Sequence, residues 1–154
     1  MGKVFEDYFS EIQTDMIAVC LEYVDNNSDD IYIYCSYEPE MYSFDVFYRI
    51  NEKLVYKYQV NDAVVIVNGK PEYVYDISDN RQFGVLDIGN ENLQKIHQKC
   101  KGFDREMPTE MKLHYDVSNN KLEAKYRYDL VYSSDEALLP DDIFERWFEE
   151  VSGN

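Results

Sequence analysis

Glycine, histidine and basic side chains are scarce in this chain, and each scarcity removes a class of chemistry. Six Gly are spread over 154 residues, none grouped as a phosphate-cradling loop requires, and no Gly-x-Ser-x-Gly nucleophile turn occurs. The two histidines, His97 and His114, sit in no local motif, so a serine or cysteine nucleophile has no evident base. The spacing His97-x-x-Cys100, with His114 and Cys35 elsewhere, is the one metal-ligand candidate. Residues three apart share a helix face, but no second pair completes the set, so it reads as a surface His beside a core Cys. The acidic run Asp25 to Asp30 has Asp30 where a calcium loop needs its Gly and Ser36 where it needs its last Glu. It reads as a solvated turn that stops a helix. Carboxylates are abundant, yet nothing singles out a catalytic pair. No enzyme activity, metal or cofactor is expected.

Fifteen Lys and Arg stand against 31 Asp and Glu, a formal charge of −16. Binding nucleic acid or an anionic membrane requires neutralising phosphates with basic groups, so neither is an expected direct partner. No apolar run approaches the length of a membrane span, and the N-terminus lacks the apolar stretch of a signal peptide. The three cysteines, Cys20, Cys35 and Cys100, show no pairing pattern and fall in apolar segments, as buried, reduced thiols would. A cytoplasmic address is expected.

What the chain does have is size, aromatic rings and unevenly placed acid. Its length suits one domain, residues 1–154, and 45% hydrophobic content suits a folded core. Fifteen Tyr and eight Phe exceed what such a core requires; they serve strand packing, a part-exposed aromatic surface, or both. Residues 1–30 hold eight acids and one base, and residues 129–154 hold eight acids and one base. The acid therefore sits at the two ends, either as solvated helix faces or as a surface for a basic partner.

Periodicity supplies the architecture. Phe5, Phe9, Ile12, Met16, Val19 and Tyr23 form one stripe, predicting a helix over 3–25. Ile31 to Tyr37 is apolar on both faces, as a central strand is, and Glu38-Pro39-Glu40 turns the chain. Tyr42 to Ile50 and Leu54 to Val60 alternate about Asn51-Glu52-Lys53, giving an antiparallel meander. Val64 to Val67 and Tyr73 to Tyr75 flank Asn68-Gly69, a tight-turn dipeptide, and Pro71 makes its strand an edge. Residues 78–89 read as loop, and Asn90 as the cap of a helix over 91–102. Met111 to Val117 and Leu122 to Tyr128 form a late hairpin. From Pro140 a third helix runs to about Val151, with Ile143, Phe144, Trp147, Phe148 and Val151 on its apolar face. The fold class is α+β: an antiparallel sheet, meander plus late hairpin, packed by N-terminal, middle and C-terminal helices.

Aromatic anchors inside a charged rim are what protein interfaces use. The expected contact surface is therefore acidic and aromatic: Asp141, Asp142, Glu145, Glu149 and Glu150 on the last helix, Asp25, Asp29 and Asp30 in the first turn, and Tyr32, Tyr34 and Tyr42 as anchors. Acids can take the positions of phosphates in a basic cleft, so a basic nuclease is a natural partner class.

Ile31-Tyr32-Ile33-Tyr34, the helix near Leu93 to Cys100, Pro108-Thr109-Glu110-Met111-Lys112-Leu113 and Tyr126-Arg127-Tyr128-Asp129 give the chain a layout that resembles the YezG-like bacterial immunity proteins. Phe144-Glu145-Arg146-Trp147-Phe148 fits the helical end of that family loosely, and the likeness spans most of the chain. It implies an immunity protein (antitoxin) that binds and neutralises a cognate secreted toxin, often a nuclease, inside the producing cell. It transfers no inhibitory residue. The rival expectations are an acidic adaptor or chaperone-like domain, and a small enzyme or metal-binding domain using His97, Cys100 and His114.

Overall fold

The computed structural model describes residues 2–38 and 40–153. Helix α1 (Phe5–Tyr23) begins where the Val4 N–H meets the Asp7 carboxylate at 3.0 Å, and ends where Asp25 and Asn26 turn left-handed. Asp and Asn tolerate that conformation better than most residues, so the helix stops two residues earlier than its stripe predicts. Strands β1 (Asp30–Tyr37), β2 (Tyr42–Ile50) and β3 (Lys53–Tyr56) form the meander, with Asn51 and Glu52 both at positive φ in the two-residue turn. The turn expected before β2 includes Pro39, which lies outside the described residues. Strands β6 (Glu110–Asp116) and β7 (Lys121–Arg127) are the late hairpin. The five run antiparallel in the order β3-β2-β1-β6-β7, which makes β1 central, as its two apolar faces require.

Three segments differ from the sequence expectation. After Tyr56 the chain leaves the sheet and curls into a 3₁₀ helix (Lys57–Ala63) that sinks Val60 and Ala63 into the core. The tight turn at Asn68-Gly69 forms, both residues at positive φ, but its strands β4 (Ile66–Val67) and β5 (Lys70–Pro71) are two residues long. Tyr73 to Tyr75 join no strand. Instead the Asn61 side chain accepts from the Tyr75 N–H at 2.7 Å and donates to its carbonyl at 3.1 Å, doing for that residue what a ladder would. Finally, residues 78–89 are not loop: α2 runs Asp79–Gly102, capped by Ser78.

Gly84 and Gly89 disguise the first half of α2, since glycine is a poor helix former. Gly89 is there for contact: a Cβ would stand 2.2 Å from the Phe44 ring, whereas one on Gly84 meets open space. The two positions should therefore respond with opposite sign. Gly89→Ala is expected to cost stability, since overpacking of about 1–3 kcal/mol outweighs the helix gain, while Gly84→Ala gains up to about 1 kcal/mol. Urea unfolding midpoints of the two variants check this.

The sheet separates two cores. On one face Ile31, Ile33, Cys35, Phe44, Val46, Tyr48, Met111 and Leu113 pack against α1 and α2. On the other, Tyr32, Tyr34 and Phe47 lie under α3 (Pro140–Val151), which buries Ile143, Phe144 and Trp147 on them. The result is an α+β fold of three layers. Among the described residues no helix is long and apolar enough to cross a membrane.

Candidate protein-binding surface

The candidate ligands His97, Cys100 and His114 do not converge. His97 is buried rather than on the surface: α2 carries it onto the rings of Tyr37 and Tyr42, and its Nδ1 lies 2.6 Å from the Tyr42 hydroxyl. Burial, helped by Lys101, holds its pKa below the usual histidine value. Cys100 contacts the Met107 sulfur at 3.9 Å. His114 lies across the sheet, stacked on Tyr32 and 2.8 Å from the Asp30 carboxylate. The set His97, Cys100 and His114 is thus split between opposite faces, and no group of three metal-ligating side chains forms among the described residues. All three thiols are buried, and burial pushes those of Cys20, Cys35 and Cys100 up, away from the nucleophilic thiolate.

Two of the expected anchors are core residues. Tyr32 is 5% exposed and stacks on Phe47, and Tyr34 is 1% exposed with its hydroxyl donating to Glu110 at 2.9 Å. Burial pushes the Tyr34 pKa far up, and the Glu110 charge adds to it. The cause is α3, which lies over the face both rings occupy. Tyr42 is half-buried and engaged with His97. Asp30 is engaged too, with His114 and with Arg49 at 3.8 Å.

The acids of α3 are placed differently. Asp141, Glu145 and Glu149 recur at four-residue spacing and all three are exposed, with Glu150 exposed beside them. Asp142 is half-buried and caps the helix, accepting from the Leu139 N–H at 2.8 Å. Among the described residues none of these five forms an ion pair. Beside the stripe, Tyr58 is 54% exposed and stacks on Tyr56, which stacks in turn on Phe148 at 4.0 Å. Asp45 and Lys57, 3.0 Å apart, floor the groove between Tyr58, Asp141 and Glu145. Burial raises the Asp45 pKa, and Lys57 only partly offsets it. Tyr56 and Tyr58 went unnoticed as anchors because their alternation extends β3; the 3₁₀ turn that exposes Tyr58 has no counterpart in that pattern.

Asp25 and Asp29 are exposed as expected, and Asp25 belongs to a second surface. Its carboxylate accepts from the Tyr73 hydroxyl at 2.6 Å and lies 3.6 Å from Arg81. Tyr73 follows the β4–β5 arm, where Val65, Ile66, Val67 and Val74 are all exposed, Val74 to 69%. Contiguous exposed apolar side chains with a polar rim mark interaction sites. The signal was in the sequence: a Val-Val-Ile-Val run beside Asn68-Gly69 with too few residues after it to bury both faces.

No family model matches the chain, and no curated protein matches it. Exposed, unpaired carboxylates beside a stacked ring pair can neutralise and hold a cationic protein face, and an apolar arm can seat beside it. Neither arrangement offers a positioned nucleophile or base.

Proposed function

We propose that this chain is an immunity protein that neutralises a cognate secreted toxin by covering a basic face of it, a nuclease cleft being the best-suited kind. The observation that carries the reading is the unpaired stripe Asp141, Glu145, Glu149 beside exposed Tyr58. Carboxylates left without internal partners are free to meet Lys and Arg of another protein, and a charge of −16 draws a basic partner in before contact. The resemblance to YezG-like immunity proteins supports the same reading. The apolar β4–β5 arm favours one second reading, an adaptor or chaperone-like domain that holds a secretion substrate without relieving toxicity.

Co-expression with the toxin encoded beside its gene tests the first. The wild-type chain protects cells, and the triple variant Asp141→Lys, Glu145→Lys, Glu149→Lys associates about 10- to 100-fold more slowly, with the wild-type rate falling steeply as salt rises. Failure of the wild type to protect sinks the immunity reading. Binding without protection selects the adaptor. A salt-independent rate would reduce the acid to a solubility feature.

A further inference from the structure

Strand β7 is an edge of the five-stranded sheet, and among the described residues no strand pairs with its outer side. The direction of its free backbone groups follows from the ladder. The Val117 N–H donates to the Asp29 carbonyl at 3.0 Å, so odd-numbered residues of β6 bond toward β1. Even-numbered residues of β6 therefore bond toward β7, and they stand opposite Lys121, Glu123, Lys125 and Arg127. The Arg127 carbonyl, accepting from Thr109 N–H at 2.8 Å, agrees. The N–H and C=O groups of Leu122, Ala124 and Tyr126 consequently point away from the sheet. An exposed row of this kind templates another strand unless something prevents it.

The side chains say which strand fits. Lysines on an edge ordinarily block promiscuous pairing, and β7 carries Lys121, Lys125 and Arg127. Lys125 is left in an unfavourable place within its own chain: it stands opposite Lys112, and no carboxylate pairs with it among the described residues. We infer that β7 pairs antiparallel with β7 of a second copy, about a two-fold axis at Ala124, to give a continuous ten-stranded sheet. In that register each outward backbone group finds a partner, with Leu122 opposite Tyr126, Ala124 opposite itself and Tyr126 opposite Leu122. Glu123 falls opposite Lys125 twice, which gives Lys125 the countercharge it lacks. Leu122 and Tyr126, 38% and 37% exposed, cover one another on the α1 side. Lys121 meets Arg127, whose charge its own chain already answers through Asp129 at 2.6 Å. A strand of different sequence gains the backbone bonds but not this charge match, so the edge is selective for its own copy.

The inference does not rest on the immunity reading, since the α3 stripe plays no part in it. Sedimentation of the full chain across a concentration series tests it. The wild type sediments as a dimer of the 18.3 kDa chain. Glu123→Lys or Lys125→Glu weakens dimerisation at least about tenfold, and the double exchange Glu123→Lys with Lys125→Glu restores it. Ala124→Pro removes an outward N–H without touching the β6 ladder, so it yields a monomer with the wild-type circular dichroism spectrum. A wild type that stays monomeric overturns the inference. So does a dimer that survives Ala124→Pro, or single charge variants that the double exchange fails to rescue.

Discussion

Replacing Glu38 by Ala is expected to lower stability by about 2–5 kcal/mol, because it strands several backbone N–H donors that each cost about 1–3 kcal/mol when buried without an acceptor. Glu38 is 2% exposed. Its carboxylate accepts from the backbone N–H of Val131 and Tyr132 at 2.9 Å and of Ser133 at 2.8 Å, and from the Ser133 hydroxyl at 2.7 Å. Its carbonyl accepts from the Tyr132 hydroxyl at 2.9 Å. These bonds tether the irregular crossover that carries the chain from β7 to α3. Truncation leaves the three N–H groups without their acceptor. Glu38→Gln keeps the volume and one oxygen, and is expected to cost about 1.5–3 kcal/mol, the worth of hydrogen bonds to a charged group. Urea unfolding would show a lower midpoint at unchanged slope for both. If Glu38→Ala stayed within about 1 kcal/mol of wild type, the crossover would be held by packing under α3 alone.

The same carboxylate gives the stability a pH dependence of known sign. Burial by itself would raise its pKa, but the N–H groups of Ser133 and Tyr132, the Ser133 hydroxyl and the Val131 N–H hold it below the ordinary value. A carboxyl whose folded pKa is depressed stabilises in full above its unfolded pKa, about 4.3. That contribution is lost as pH falls through the folded value. Asp45 works in the opposite sense: its raised pKa gives stability that is lost as pH rises. The difference between wild type and Glu38→Gln removes the Asp45 contribution. It should be constant near neutrality and shrink toward zero as the pH drops through the acid range. A difference independent of pH would mean that folding leaves the Glu38 pKa unshifted, and one that grew as pH fell would mean that folding raises it.

None of this is legible in the sequence, where Glu38 reads as part of a turn. What periodicity conveys is which residues share a face, and that sufficed for β1, β2, the late hairpin and the stripes of α1 and α3. It does not convey what lies over a face. Tyr32 and Tyr34 read as surface anchors because α3, which covers both rings, is distant in sequence. His97 reads as a surface residue for the same reason, because its burial comes from Tyr37 and Tyr42, distant in sequence. The Gly89–Phe44 contact hid half of α2, since a glycine chosen for close approach looks like a helix breaker. The α3 acids are legible because one face of that helix is apolar enough to decide its orientation, which leaves Asp141, Glu145, Glu149 and Glu150 facing solvent.

Truncating Trp147 to Ala is expected to detach α3 with less effect on the rest of the fold. Trp147 is 9% exposed and meets Phe47 edge-on at 5.1 Å and Tyr32 at 5.8 Å, with the Lys112 ammonium 5.6 Å from its ring. Losing such a side chain costs about 3–5 kcal/mol. A helix of 12 residues is too short to persist without its packed face. The core beneath α1 and α2 shares no buried residue with the one beneath α3, so the loss should stay largely local. Hydrogen exchange should then show the amides of Phe144 to Val151 losing protection while those of Ile33 and Leu113 keep theirs. Uniform loss across both sets would make the two cores one cooperative unit and refute the local reading. The comparison with the charge-reversed stripe separates shape from charge in the proposed function. Both variants should bind the toxin more weakly, but only Trp147→Ala should lose protection in α3. If Trp147→Ala bound as wild type does, the partner would be held elsewhere, and the apolar β4–β5 arm would become the surface to mutate.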